Sequence, residues 1–347
     1  MANAAHSTGT EPDPAAIQQL FQLASGYMVS AALGAAAQLR VADELAAGPR
    51  PVADLARRTG ANEDALYRLL RALAMVGVFT EVSPRTFALT PVANLLRADV
   101  PGSVRDMVLW TCDDLHFRTY AELPHAVRTG ETLGERVVKM PVFEYFQRNP
   151  EVSARFNNAM TNFSGGIVPA VLEAYDFAGI DVLVDVAGGH GMVLGSILRQ
   201  YPAMRGILFD LDHVLAGATV IDELGVADRC QKIAGDFFTS VPAGGDAYLM
   251  KHIVHDWDDE KAGVILTNIR KALEGKPDGK LIVLDAVIKP GNEPDLAKLI
   301  DLEMLVFPGG RERTQEEFTA LFARHGFELT RVVPTHSPVC VVEGTIR

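Results

Sequence analysis

The chain has 347 residues, enough for two domains, and 48% of them are hydrophobic, which supplies material for real cores. Its 32 basic and 44 acidic side chains leave a formal net charge of −12, which argues against a surface built to meet nucleic-acid phosphates. The three cysteines, Cys112, Cys230 and Cys340, are isolated and odd in number, so they offer neither a disulfide framework nor a CxxC zinc ribbon, and they fit a reducing cytosol.

Residues 1–14, MANAAHSTGTEPDP, have no basic residues ahead of an apolar core and read as a disordered tail rather than a secretory signal. No uninterrupted apolar run approaches the roughly 20 residues that span a bilayer. A soluble, cytoplasmic protein with no membrane partner is expected.

Residues 15–47 read as helix, with Leu20, Leu23, Tyr27, Val29 and Leu33 at mixed three- and four-residue spacing. SAALGAAAQL is apolar nearly all round, which requires burial on most faces and points to packing against a second subunit. A short helix, Val52 to Arg58, is then broken at Gly60, and Asn62 caps a longer one carrying Leu66, Leu69, Leu70 and Leu73 that ends at Gly77. Two strand-like pieces follow around Ser83-Pro84, completing a helix, turn, helix and wing. A winged helix often reads DNA, but this second helix opens with Glu63 and Asp64 and has only Arg68 and Arg71 as cations. A structural role is favoured.

Thr90-Pro91 and Asn149-Pro150 each pair a capping residue with proline at the first helical position, so helices start at both. Between them the chain is helical and aromatic, interrupted by Pro124 and Pro141, and reads as connecting helices. From residue 180 the character changes. DVLVDVA, GILFD, DAYLM and GKLIVLDAV are short apolar strands separated by helical stretches, which implies a parallel sheet covered on both faces. GFELTRVV and PVCVVEGTI are joined only by PTHS, so the last strand inserts antiparallel.

Ligands of such sheets sit at the carboxyl ends of the strands. The first strand ends VDVAGGHGMVLG, where Gly188, Gly189 and Gly191 permit a tight turn and close approach of backbone to ligand. The dinucleotide pattern GxGxxG wants glycine at 194, where the chain has Leu194, and Asp185 just before the loop would repel a pyrophosphate. The same carboxylate suits a cationic amino group. Asp210, with Leu211 beside it, falls where a carboxylate grips a ribose diol; Asp236 and Phe237 end the next strand, placed for an adenine amine and ring. Taken singly, Asp210 and Asp236 read equally well as strand-end caps. Together behind a glycine loop they favour a site for a nucleoside with a positively charged amino-acid tail and no phosphate, a description that S-adenosylmethionine fits.

DVAGGHG, FDLDHV, GDFF, KHIVHDWDDE and PGGRERTQEEF, in this order, resemble the small-molecule O-methyltransferases of the caffeate and hydroxyindole type, whose bacterial relatives methylate phenols in antibiotic and pigment pathways. The resemblance covers almost the whole chain. It implies an α/β fold: a C-terminal class I methyltransferase Rossmann-like sheet with an antiparallel last strand, plus an N-terminal α-helical winged-helix dimerisation domain. The implied division is a tail (1–14), the winged-helix domain (15–105), connecting and substrate-lining helices (106–165) and the S-adenosylmethionine-binding catalytic domain (166–347). It further implies a homodimer, a cofactor pocket formed by the glycine loop, Asp210, Asp236, Phe237 and Lys251, and His255 as general base supported by acids at Asp285 and Glu312. Ala187 stands where the family has its first glycine, and Asp285 where plant members have glutamate, so its reach to His255 is one methylene shorter.

KHIVHDW forms a loop at the catalytic edge, followed by a helix starting near Asp258, in whose cap and first turn Asp258, Asp259 and Glu260 fall. Thr314 and Glu317 form a capping box. His252 and His255 would share a metal only on a helix face, and this segment precedes the helix; a magnesium site would need oxygens from several loops, with Asp256 and Asp258 the candidates. No metal is expected. A phenol titrates near 10 and an imidazole near 6.5, so a histidine that takes the proton as oxygen attacks the methyl carbon contributes ~10²–10⁴-fold. A carboxylate behind it, Glu312 with Asp285 or Asp256, would hold the ring's tautomer. His252 is expected to be a packed loop histidine.

Phe156, Met160 and Phe163 recur at helical spacing, a stripe that by itself is more often core; the resemblance makes it the clamp on a flat acceptor, with Met304 and Phe307 as further candidates and Trp110 and Phe143 as weaker ones. The expected reaction is methylation of a phenolic hydroxyl. The alternatives are decarboxylation or hydroxylation with the same fold and cofactor, an NAD-dependent oxidoreductase, and a ligand-sensing DNA-binding regulator.

Overall fold

The structure is a computed structural model that describes residues 13–347, so most of the expected tail lies outside the described residues. Its last two residues do not: Asp13 accepts a hydrogen bond from Ala15 N at 2.9 Å and caps a helix that Pro14 opens. The chain divides into two compact units, one ending at Asp113 and one running from Asp114 to Arg347.

In the first unit the helix expected over 15–47 is three: α1 (Pro14–Ala24), α2 (Gly26–Gln38) and α3 (Val41–Glu44). It breaks at Ser25 and again at Arg40, whose φ of 55° is left-handed. Leu20, Phe21, Leu23, Tyr27 and Met28 are all exposed. Pro14–Gln38 is long and apolar enough to cross a membrane by length and composition alone, with a window of mean hydropathy 1.3, because alanine and glycine fill the gaps between its large residues. There follow β1 (Arg50–Pro51), α4 (Val52–Thr59), α5 (Glu63–Met75), β2 (Phe79–Ser83), β3 (Thr86–Leu89), α6 (Pro91–Asn94) and α7 (Arg105–Thr111). Gly60 ends α4 with a φ of 68°, and the Asn62 side chain accepts from Ala65 N at 3.0 Å to cap α5. Leu66, Leu70 and Leu73, at spacings of four and three, bury one face of α5 with Val52, Leu55, Phe79 and Phe87. The strands pair antiparallel in the order β1-β3-β2.

The second unit opens with α8 (Asp114–Ala121), α9 (Leu123–Thr129), α10 (Gly134–Val138), α11 (Val142–Arg148) and α12 (Pro150–Ala174). Pro124 and Pro141 stand at helix starts, where a missing N–H costs nothing. Asn149 does not cap α12; its amide donates to Tyr145 O at 2.8 Å. Next come β4 (Val182–Val186), α13 (Met192–Gln200), β5 (Arg205–Asp210), α14 (Asp212–Leu215), α15 (Val220–Glu223), β6 (Cys230–Ala234), β7 (Ala247–Lys251), α16 (Asp259–Ala272), β8 (Lys280–Asp285), α17 (Ala297–Val306), α18 (Gln315–Arg324), β9 (Phe327–Pro334) and β10 (Cys340–Ile346).

The strand order is β6-β5-β4-β7-β8-β10-β9, with β10 antiparallel between β8 and β9. Alternation along the strands feeds two cores: Leu183, Leu249, Ile282 and Leu284 face one, and Val184, Tyr248, Leu281 and Val283 the other. Burial on both faces explains why these strands read as unbroken apolar runs. The chain runs outward from β4 to β6 and then returns to place β7 beside β4, so the strand order reverses between β4 and β7. That switch point opens a crevice at the strands' carboxyl ends.

Candidate active site

The crevice is a cavity of about 300 Å³. Gly188, Gly189, Asp210, Leu211, Asp236, Phe237 and Lys251 line one part of it; Phe143, Phe156, Met160 and Asp256 line the rest. Asp185, Gly191, Phe163, His255, Asp285 and Glu312 stand behind this wall rather than in it.

The glycine loop is shaped by contacts that admit no side chain. A Cβ on Gly188 would lie 2.5 Å from Leu208 and 2.6 Å from the Asp185 carboxyl, and one on Gly191 2.7 Å from Ile221. Ala187, Gly189 and Gly191 take left-handed φ values of 55°, 59° and 83°. For Gly189 and Gly191 this is free of steric cost; for Ala187 it is not. The Gly189 and Leu211 amides donate to the two Asp210 oxygens at 2.8 and 2.7 Å, fixing the carboxyl at the cavity edge. Burial nonetheless raises the Asp210 pKa, those two hydrogen bonds opposing.

Asp185 is buried and its Oδ2 has no hydrogen-bond partner. Burial pushes its carboxyl up to about 7, against the pull of Lys251, whose own pKa burial lowers to about 8. An orphaned carboxylate oxygen beneath a backbone cradle that a single Cβ would fill fits a ligand carrying a cationic amino group. At the far end Asp236 accepts from Phe238 N at 2.8 Å, while Asn268 donates to Phe237 O and Phe238 O at 2.9 and 3.2 Å. These bonds present Phe237, Phe238 and Trp257 as an edge-on aromatic cluster, with centroids 4.7 to 6.2 Å apart.

The loop after β7 carries the acid–base groups. His255 Nδ1 stands 2.6 Å from Glu312 Oε1, both side chains buried, and His255 Nε2 stands 3.5 Å from Asp256 Oδ1. Asp285, expected behind His255, instead lies nearest His252, 3.7 Å from its Nδ1. The register decides this: Lys251 pairs with Leu284, and His252 N donates to Leu284 O at 3.1 Å, so the next residue of β8 falls beside His252. His252, expected as a bystander, has a φ of 54°, lines the cavity and packs edge-on against Phe163 at 5.2 Å. That left-handed turn brings its Nδ1 within 3.4 Å of His255 Nδ1, so two histidines three apart converge without a helix, contrary to expectation.

Burial dominates the electrostatics. It pushes Asp256 and Asp285 up to about 7 and Glu312 to about 8, the last with Asp301 adding and Arg313 opposing. It also drives His252 well below the usual imidazole range, helped by His255.

Residues 310–313 strap the loop from outside the cavity. A Cβ on Gly310 would lie 2.0 Å from His255 O, and Arg311 N donates to that same oxygen at 2.8 Å. Arg313, almost fully buried, donates to Val254 O and Trp257 O, each at 2.9 Å, and to Asp259 Oδ1. Glu312 thus sits between two residues that hold the backbone on either side of His255. The expected caps are present: Asp258 accepts from Lys261 N at 2.8 Å, and Thr314 and Glu317 form a capping box.

Besides Phe163, three acceptor candidates fall outside the wall. Met304 and Phe307 are buried but absent from the cavity wall; Met304 O accepts from the Gly309 and Gly310 amides, and Phe307 stacks on His116 at 4.9 Å. Trp110 is buried in α7 of the first unit. Sequence reasoning missed Phe146, Asn157, Thr161, Ser164, His190, Phe238 and Trp257, all in the wall. His190, Phe238 and Trp257 lie inside the motifs DVAGGHG, GDFF and KHIVHDWDDE, and Asn157, Thr161 and Ser164 flank the Phe156–Met160 stripe on α12.

A switch-point cavity with a glycine cradle, three strand-end acids and an orphaned carboxylate defines a class I methyltransferase. The comparisons bring this to a family. An O-methyltransferase domain matches residues 120–328 and an O-methyltransferase dimerisation domain residues 21–99. The phenazine O-methyltransferase PhzM of Lysobacter antibioticus is 42% identical over 326 residues, covering 94% of this chain and 95% of the relative. Among solved structures, LaPhzM superposes with a TM-score of 0.92 at 41% identity, over 95% of this chain and 99% of that one. CalO1, a methyltransferase in calicheamicin biosynthesis solved with S-adenosylhomocysteine bound, gives a TM-score of 0.84 at 35% identity, over 97% and 100%. The chain belongs to the O-methyltransferase family and is an S-adenosylmethionine-dependent methyltransferase carrying the family's dimerisation domain.

Proposed function

We propose that the protein methylates a phenolic hydroxyl of a small aromatic natural product without a metal, using His255 as general base. The observation that carries this reading is the buried 2.6 Å contact between His255 Nδ1 and Glu312 Oε1, directly behind the wall residues His252 and Asp256. A carboxylate accepting from Nδ1–H leaves the lone pair on Nε2 and stabilises the imidazolium that forms. S-adenosylmethionine, held by Asp185, Asp210, Leu211, Asp236 and Phe237, would offer an electrophilic methyl group to the acceptor oxygen, and His255 Nε2 would take the phenolic proton. The sulfonium supplies the methyl group; the chain's own residues hold and deprotonate the acceptor.

Cofactor recognition falls to Asp185 for the amino group, Asp210 and Leu211 for the ribose, and Asp236 and Phe237 for the adenine. Phe143, Phe146, Phe156 and Met160 offer a flat apolar wall to the acceptor. The exposed apolar residues of α1 and α2 fall at the start of the dimerisation domain, which supports a homodimer that covers them. The acidic balance speaks against nucleic-acid binding, and the three free cysteines suit the cytoplasm.

The test is transfer of labelled methyl in EDTA to hydroxyphenazines, catechols, naphthols and arylamines. Phenol methylation that drops at least 100-fold in His255→Ala supports the reading. Undiminished turnover in that variant removes the base assignment, and transfer to arylamines alone removes the hydroxyl.

A further inference from the structure

Unpartnered polar atoms gather around one point in the described residues. Both Asp285 oxygens, Glu312 Oε2 and His252 Nε2 are enclosed and make no hydrogen bond. They surround the two rings whose Nδ1 atoms are 3.4 Å apart. Buried polar groups in native proteins are paired with protein, water or an ion, so such a cluster calls for an occupant.

We propose that His252, His255 and Glu312 form an inhibitory site for a divalent transition-metal ion of the zinc type, with Asp285 beside His252 as a supporting carboxylate. Ligand atoms of a tetrahedral ion, with bonds of about 2.0–2.1 Å, lie about 3.3 Å apart. Here the two Nδ1 atoms are separated by 3.4 Å, His255 Nδ1 and Glu312 Oε1 by 2.6 Å, and His252 Nδ1 and Asp285 Oδ1 by 3.7 Å. Donor atoms of His252, His255 and Glu312 all fall within 4.8 Å of one another. Among the three donors the His255–Glu312 contact has to open, by well under the length of a bond. Two imidazoles and one carboxylate, with a fourth position for water, suit zinc or cobalt, whereas magnesium demands an octahedron of oxygens. Glu312 and the nearby Asp285 offset the ion's charge in a buried site, and Lys251 and Arg313, which both interact with Asp285, oppose occupancy.

The ion would disable the base through its tautomer. A neutral imidazole carries one proton, held at Nδ1 while Glu312 accepts from it. An ion on Nδ1 takes the lone pair there, the proton moves to Nε2, and that nitrogen no longer accepts the acceptor's proton. This consequence rests on His255 being the base; the binding does not. Asp210 and Asp236 are not among the ligands, so cofactor affinity is left intact.

The experiment is titration of the EDTA-stripped full-length protein with Co²⁺, read by its visible tetrahedral spectrum, and with Zn²⁺, read by calorimetry, with S-adenosylhomocysteine binding measured in parallel. One ion per chain is expected, bound with a micromolar or lower Kd. Affinity should fall at least 10-fold in Asp285→Asn and in His252→Gln while both variants still bind the cofactor product. Methyl transfer should be lost over the same Zn²⁺ range and restored by EDTA. Absence of binding, an octahedral spectrum, or equal affinity in both variants, which would place the ion on surface groups such as His125 and Glu131, overturns the proposal. Normal ion binding alongside full turnover in His255→Ala would instead sink the base assignment and leave the site standing.

Discussion

His255 and Glu312 are 57 residues apart in the chain and 2.6 Å apart in space, with neither side chain open to solvent. A carboxylate in that position selects the tautomer that leaves Nε2 free, so its loss acts on kcat rather than on cofactor binding. In Glu312→Gln, kcat is expected to fall roughly 10²-fold with S-adenosylhomocysteine affinity within about twofold of the parent. Steady-state kinetics beside calorimetry checks this, and an equal loss in both quantities would contradict it.

Asp185 makes a separate prediction for the cofactor. A hydrogen bond to a charged group contributes ~1.5–3 kcal/mol, so Asp185→Asn should weaken S-adenosylhomocysteine roughly 10- to 100-fold and leave adenosine, which lacks the amino group, nearly unaffected. Because burial holds this carboxyl up near 7, the empty site is partly protonated at neutral pH. Affinity should therefore rise between pH 6 and pH 8, with release of a proton on binding. Calorimetry in buffers of different ionisation enthalpy would show it.

Three of the buried acids also set how stability follows pH. Asp185, Asp256 and Asp285 are raised to about 7, so the folded chain holds protons that an unfolded chain has released by about pH 5. Raised carboxyl values stabilise the fold at low pH, and that stabilisation is lost as pH climbs through about 7. His252 is shifted the opposite way, but an unfolded histidine is already mostly neutral above about pH 7. The melting temperature of the ligand-free protein should therefore fall from pH 7 to pH 8.5, and fall less in Asp285→Asn. A flat profile would contradict the burial of these charges.

Gly310 and Arg313 position the base loop without touching the cavity. A Cβ at 310 would overlap His255 O at 2.0 Å, so Gly310→Ala must displace the loop backbone. Its kcat should drop at least 10²-fold, in line with the effect of about 1 Å of misplacement. Arg313→Lys keeps a charge but loses the fork that reaches Val254 O and Trp257 O together, and should lose about 10-fold in kcat. Cofactor-product binding close to normal in both variants would separate mispositioning from unfolding.

Ala187 occupies a left-handed backbone position with a φ of 55°. Relief of that strain is worth roughly 1–2 kcal/mol, offset by roughly 0.5–1 kcal/mol of added freedom in the unfolded chain. Ala187→Gly should accordingly raise stability by about 1 kcal/mol or less, measurable as a small upward shift of the melting temperature.

Much of this was legible in the sequence, and the legible part is local. The Asn62, Asp258 and Thr314 caps, the Gly60 stop and the loop between the last two strands each depend on a few neighbouring residues. The cofactor end of the cavity could be read because each acid sits at the end of a recognisable strand. The acceptor end was harder. Met304 and Phe307 share the apolar character of Phe156 and Met160, and nothing in their spacing says that Phe307 turns to stack on His116.

Short apolar runs separated by helical stretches, glycines before helices and the order of motifs were sufficient to determine the doubly covered parallel sheet, the antiparallel last strand and the methyltransferase class, because those signals are carried by the backbone within short windows. Which acid meets which histidine was decided only in three dimensions. The pairing of Lys251 with Leu284 and the left-handed turn at His252 hand Asp285 to His252 and leave Glu312 to His255. The 310–313 strap exists for the same reason: its partners lie more than fifty residues away, brought into contact by strand register and loop geometry that no local pattern encodes.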